Sequence, residues 1–255
     1  MGNPPELTDE QWNLVAGIFD PPNRRGAPAR TDRRQMVDAM LYLARTGVQW
    51  RFLPDRFGPW GAVWQQWRRW RDSGVWPAAM LVLAKHARAE HGDTQTPSAV
   101  VIDAQTVKGG RAGKTFHEAG GRGGRIVGAK RTILIDKRGL PFAARVDSAR
   151  HHDVVAGRLL VADALPALPT VKTVLADKGY RALDKAAAKH GAKVEVRANP
   201  PGTVGFKPLA MVWRVENAFA QLGRFRRLAR CFEGSRESAE AWLQVACVGY
   251  LLTRA

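Results

Sequence analysis

Two aspartates in this sequence close continuous apolar runs. AVVID ends on Asp103 and VKTVLAD ends on Asp177. Unbroken apolar runs of this length read as buried strands, so each carboxylate is expected at the C-terminal end of a strand. If the second strand returns parallel to the first through a helical crossover, the two carboxylates stand side by side. That is where open α/β sheets gather ligands. Two adjacent anions are unfavourable unless a cation lies between them. A third acid is expected from a neighbouring helix, and Glu216 is the candidate. At 100° per residue, Val215, Ala218, Leu222, Phe225 and Ala229 share one arc, which is the buried face, and Glu216 lies well away from it. Gly223, Arg227 and Arg230 point within about 40° of Glu216. Three carboxylates suffice for two-metal phosphoryl chemistry, with Mg²⁺ (or Mn²⁺) ions held roughly 3.5–4 Å apart. Asp136, Asp147, Asp153 and Asp163 compete for that role. Asp136 opens a hairpin turn, a structural place for aspartate. Asp153 follows His152 at a helix start and reads as a cap, or with His152 as support behind the ligands. Asp163 falls inside a helix.

The charge balance names the partner. The 255 residues hold 40 Lys+Arg against 23 Asp+Glu, a net charge of +17. Such a surplus points to a polyanion, nucleic acid above all, rather than to a merely solvated basic face. No basic amphipathic helix stands alone to suggest a membrane surface. The cations cluster in KGGRAGKTFHEAGGRGG and just after it. Lys108, Arg111, Lys114, Arg122, Arg125, Lys130 and Arg131 accompany one acid, Glu118. Glycines let backbone amides approach phosphates closely, so loop 108–125 is expected to hold double-stranded DNA beside the metals. KGGRAGKT nearly fits a nucleotide-binding loop, but Lys108 replaces the first glycine and no good helix former follows, so no nucleotide cofactor is expected. Two cysteines, Cys231 and Cys247, make neither a disulfide framework nor a zinc motif and read as packing thiols in a reducing cytoplasm. No signal peptide or membrane span is legible.

The surrounding elements fall into two parts. Residues 1–92 are predicted all-helical. Thr8 caps a helix through Trp12, Val15 and Phe19. Thr31 caps a second, which buries Met36, Met40 and Leu43 and ends at Gly47. The third, 61–72, carries Trp64, Trp67 and Trp70 as core, with Arg68, Arg69 and Arg71 facing outward to DNA. The fourth runs from about 77 to 90. The helix–turn–helix order suits a DNA-reading module, with Arg24, Arg25 and Arg30 near a groove or phosphate. After the linker-like GDTQTPS, residues 98–255 are predicted as strand 98–103, a hairpin turning at 136–139, helix 151–165, strand 171–177, helix 181–190, a short strand AKVEVRA, and helices 209–231 and 238–253.

The chain resembles DDE transposases of bacterial insertion sequences, in the single-frame group around the fourth and fifth insertion-sequence families. The resemblance lies in LTDEQWNLVAGIFDPP, YLARTGVQWRFLPDRFGPWGAVWQQWRRWRDSGVW, VVIDAQTVK, LADKGYRA and WRVENAFAQLGRFRRLARCFE. It implies an α/β fold with a ribonuclease-H-like catalytic core, a mixed sheet flanked by helices, over 98–255. It implies DNA-end binding by 1–92, with Asp103, Asp177 and Glu216 as catalytic metal ligands. It also implies Mg²⁺-dependent cleavage at element ends, 3′-hydroxyl transfer to target DNA, and work as a homodimer or larger assembly on nucleoid DNA in a bacterium. The group usually has arginine four residues before the glutamate. Val212 stands there, with Arg214 two before, and the later phosphate-clamp position falls on Arg224 because Gly223 occupies the seventh. A nuclease of the same fold that does not join strands, and a non-catalytic DNA-binding remnant, are the alternatives.

Overall fold

The computed structural model describes residues 6–22, 32–110, 116–121, 124–197 and 213–254. Four helices come first: α1 (Asp9–Phe19), α2 (Arg33–Thr46), α3 (Trp60–Asp72) and α4 (Val75–Glu90). Thr8 closes a capping box on α1: its hydroxyl accepts from the Gln11 amide at 3.2 Å, and the Gln11 side chain accepts from the Thr8 amide at 3.0 Å. The cap of α2 is Asp32, which accepts from the Arg34 amide at 3.0 Å. Thr31, expected in that role, lies outside the described residues, as do Arg24, Arg25 and Arg30. Gly47 ends α2 in the left-handed region, φ 72°, and the space above its Cα is filled by Arg226 and Arg227. Helix α4 starts at Val75, two residues early, because Pro77 is tolerated in a first turn.

Six strands form one mixed sheet: β1 (Ala99–Lys108), β2 (Glu118–Gly120), β3 (Ile126–Ile135), β4 (Pro141–Ser148), β5 (Thr173–Ala176) and β6 (Lys193–Val196). β3 lies antiparallel to β1, β4 antiparallel to β3, and β5 and β6 continue parallel on the far side of β1. The long strands therefore run β4-β3-β1-β5-β6, the ribonuclease-H-like order, with β2 on the free end of β3. Every residue of β3 from Gly128 to Ile135 is buried, so both faces of the sheet are covered. The cover comes from α5 (Asp153–Ala164), which packs on β1, β3 and β4, and from α4 and α8 (Arg236–Leu251), which pack on β4 and on each other. A short α6 (Asp184–Ala188) leads to β6, and α7 (Trp213–Leu222) packs on β1 and α8. The hydrophobic core is continuous through the N-terminal helices and the sheet: Trp67 of α3 stacks on Trp242 of α8, centroids 5.3 Å apart.

Three sequence expectations are corrected. β1 does not stop at residue 103 but pairs with β3 out to Lys108↔Gly128, so Lys108 is a strand residue and not a loop residue. The helix expected over 209–231 ends at Leu222. The Gly223 amide makes the last i→i−4 bond, and Arg224 and Phe225 turn back through i→i−3 bonds. The helical wheel therefore fails beyond that point: Phe225 is buried as expected, but Ala229 of the same arc is exposed, and Arg227 and Arg230 do not continue the face of Glu216. Lys130 and Arg131, expected among the cations that hold DNA, lie on β3 with 4% and 6% exposure.

Candidate active site

The last pair in the β1/β5 register is Val101↔Leu175. Two residues further along the chain from that pair stand Asp103, still in β1, and Asp177, just past the end of β5, so both lie beyond the same end of the β1/β5 ladder. Asp177 has just left β5 and caps the following turn, its carboxylate accepting from the Gly179 amide at 2.8 Å. Glu216 is exposed in the first turn of α7, the helix laid against β1. Burial pushes the Asp103 carboxyl up to about 7, and repulsion from Asp177, Asp153 and Glu216 adds to the shift while the Ala104 amide opposes it. Asp177 and Glu216 are thus both near enough for their charge to act on Asp103.

Asp153 is the fourth acid facing Asp103, and its charge is already matched. Lys130 reaches from β3 to the first turn of α5 and bonds the Asp153 carboxylate. Buried lysine needs such a partner, which explains why Lys130 points inward rather than to DNA. Arg131 likewise donates internally, to the Leu228 carbonyl at 2.7 Å, and burial lowers its pKa to about 10. Asp103, Asp177 and Glu216 form no ion pair among the described residues. Tyr180 was quoted in LADKGYRA but given no role. Its ring is 1% exposed and seats on Gly157 of α5, where a Cβ would come within 2.8 Å. Burial among Asp103, Asp153 and Asp177 holds its hydroxyl far above the ordinary tyrosine range. Its position three residues after Asp177 was the available signal.

Among the described residues no three Asp, Glu, His or Cys side chains converge closely enough to make a ready metal cage. The donor set still fits Mg²⁺. All three groups are hard carboxylate oxygens, and Mg²⁺ takes one or two carboxylates and fills the rest of its shell with water and phosphate. The unmatched charge on Asp103 is the observation that supports this fit.

The candidate DNA contacts scatter more widely. Lys108, Arg125, Arg224 and Arg230 are exposed, and Arg214 is half-buried against Trp213, 5.0 Å from its ring. Arg68 and Arg69 are exposed on α3, with Arg68 5.0 Å from the Trp64 ring. Arg71 turns inward to Asp72 at 2.7 Å and Ser238 at 3.0 Å. Arg227 is an internal residue: it bonds Glu233 at 2.8 Å and lies 4.1 Å over Trp242. Arg111, Lys114, Arg122 and Val212 lie outside the described residues. Cys231 and Cys247 are buried, as read, and burial pushes the Cys247 thiol up to about 12. Among the described residues no helix is long and apolar enough to cross a membrane.

The comparisons with known proteins agree with the topology. A family model described as "Putative transposase of IS4/5 family" matches residues 7–80, and the model "Transposase DDE domain" matches residues 94–206. The chain is 31% identical over 117 residues to a 16.2 kDa protein of insertion element IS402 from Burkholderia cepacia, covering 43% of this chain and 78% of that one. It is 37% identical over 84 residues to protein y4sN of Sinorhizobium fredii, covering 33% of this chain and 67% of that one. Among solved structures, a chain of a pre-cleavage Mos1 transpososome is similar at 14% identity and a TM-score of 0.26, covering 96% of this chain and 84% of that one, a likeness too distant to bear on the fold. A ribonuclease-H-like sheet together with the match to the transposase DDE domain defines a DNA transposase. Within that class the chain belongs to the DDE transposases of the IS4/5 type.

Proposed function

We propose that this transposase binds the terminal repeats of an insertion sequence, cleaves DNA at the element ends and joins the freed 3′-hydroxyls to target DNA, with Asp103, Asp177 and Glu216 as the catalytic carboxylates. One observation carries the reading: Asp103 and Asp177 each lie two residues beyond the last pair of the parallel β1/β5 ladder, and neither has an ion-pair partner among the described residues. A divalent cation, Mg²⁺ with Mn²⁺ as substitute, would supply the charge that activates the attacking oxygen and stabilises the leaving one. Asp103 and Asp177 would hold it beyond the end of the β1/β5 ladder, with Glu216 from the first turn of α7, the helix packed on β1, as the third ligand. Water attacks the scissile phosphodiester in line, the 3′-oxygen leaves and takes up a proton, and that 3′-hydroxyl then attacks a target phosphodiester. No covalent bond to the protein is needed.

Lys108, Arg125, Arg224 and Arg230, all exposed, are the phosphate contacts of this reading. Residues 1–92, with Arg68 and Arg69, read the ends, and two copies bring two ends together. The test is cleavage and strand transfer on a plasmid bearing the element's ends, comparing the wild type with Asp103→Ala, Asp177→Ala and Glu216→Ala. Loss of joined product in all three with DNA binding retained supports the reading. Nicking without joining would favour the nuclease, and binding without chemistry under any metal would favour the remnant.

A further inference from the structure

Tyr180 stands in the turn that Asp177 caps. The Asp177 carboxylate accepts from the Gly179 amide at 2.8 Å, and the Asp177 carbonyl accepts from the Tyr180 amide at 3.2 Å. These two bonds tie the tyrosine backbone to the aspartate. On its other side the ring closes on Gly157 of α5, where a Cβ would stand 2.8 Å and 3.0 Å from two ring carbons and 3.3 Å from Leu183. A side chain at 157 would push the ring out of its seat, so the absence of one lets α5 fix the ring.

The hydroxyl at the end of this ring is closed off from solvent and has no hydrogen-bond partner among the described residues. The charges that act on it are those of Asp103, most strongly, then Asp153 and Asp177. A buried hydroxyl that makes no hydrogen bond is unfavourable, and a phenyl ring would fill the same space without that penalty. Ionised carboxylates only accept hydrogen bonds, so toward these neighbours the hydroxyl can only donate. Two of the three are already served. Lys130 bonds Asp153, and Asp177 is exposed to water and takes the Gly179 amide. Asp103 is half-buried, and the donor it has is the adjacent Ala104 amide.

We infer that Tyr180 is a positioning residue for the metal site: its hydroxyl donates to one carboxylate oxygen of Asp103 and leaves the other oxygen to the cation shared with Asp177. The ring is clamped between the Asp177 turn and Gly157, so the carboxylate turns to the hydroxyl and not the reverse. Held in this way, Asp103 presents a single oxygen in one orientation. Groups that orient a metal ligand from behind also set its basicity, and removing one weakens metal binding by roughly 10–100-fold. Tyr180 itself touches neither the metal nor the DNA in this role.

The inference rests on the reading of Asp103 and Asp177 as metal ligands, and the experiment separates the two. Mn²⁺ is titrated into the metal-free full chain, with the free ion followed by its electron paramagnetic resonance signal. The wild type, Asp103→Asn and Tyr180→Phe are compared, and each is also melted in EDTA. Tyr180→Phe should bind Mn²⁺ roughly tenfold more weakly than the wild type, or weaker still. In EDTA it should melt no lower than the wild type, because it removes only an oxygen without a partner. A hydroxyl with a purely structural role would do the opposite, lowering the melting temperature and leaving Mn²⁺ binding alone. Affinity within about twofold of the wild type in Tyr180→Phe, with Asp103→Asn weakened, overturns the role of Tyr180 and leaves the ligands standing. A lower melting temperature for Tyr180→Phe in EDTA overturns it too, because the hydroxyl then has a partner without metal. Mn²⁺ binding indifferent to Asp103→Asn overturns both readings.

Discussion

Replacing Asp103 by asparagine should abolish catalysis and yet stabilise the metal-free protein at alkaline pH. Asp103 sits in the folded state with its carboxyl pushed up to about 7, first by burial and then by Asp177, Asp153 and Glu216, from an ordinary value of 3.8. A group whose folded pKa is raised contributes stability that is complete below its unfolded pKa. That stability drains as pH rises and is gone above the folded pKa. A shift of roughly three units corresponds to about 4 kcal/mol at 1.36 kcal/mol per unit. The side chain is only half-buried, so solvent screening reduces this to about 2 kcal/mol. Asparagine imitates the protonated, neutral form. In EDTA, Asp103→Asn and the wild type should melt together near pH 4, and the variant should melt about 4–8 °C higher at pH 8. Adding Mg²⁺ at pH 8 should raise the wild-type midpoint and leave the variant nearly still, because a cation between Asp103 and Asp177 relieves the same repulsion. Parallel melting curves for the two proteins from pH 4 to 8 would refute the reasoning. A variant less stable than the wild type at pH 8 would do so as well.

The buried pair Arg88–Asp136, 2.5 Å apart and 4% and 0% exposed, ties α4 to the hairpin turn. Asp136→Ala also strands the amides of Arg138 and Leu140, and chemical denaturation should show a loss of about 3–5 kcal/mol. Arg227 and Arg230 should part company: Arg227→Ala uncovers Glu233 and Trp242 and costs about 2–4 kcal/mol. Arg230→Ala should leave stability within about 0.5 kcal/mol and lower the salt dependence of DNA binding by about one unit of slope. Gly128→Ala would drive a Cβ to 1.9 Å from the Val107 carbonyl. Backbone cannot yield as a side chain can, so we expect about 1–3 kcal/mol of destabilisation, read as a lower melting temperature.

What the amino-acid string determined by itself was local. The apolar runs ending in Asp103 and Asp177 could be read as strands because a doubly covered strand has no polar alternation to obscure it. The Thr8 capping box, the Gly47 terminator and the 136–139 turn were legible because each rests on contacts within a few residues. The same locality misled at α7, where an apolar period continued past Gly223 although the chain had left the helix, since Phe225 and Leu228 are buried by other elements. Only the tertiary structure decided which cations remain exposed. Lys130, Arg131 and Arg227 resemble Lys108 and Arg230 in the sequence, but Asp153, the Leu228 carbonyl and Glu233 claim them from distant elements. The setting of Tyr180 was hidden for the same reason. Asp103, Gly157 and Tyr180 come together only when α5 and the turn after β5 pack against the sheet, and hydrophobic periodicity carries no record of contacts made between distant parts of the chain.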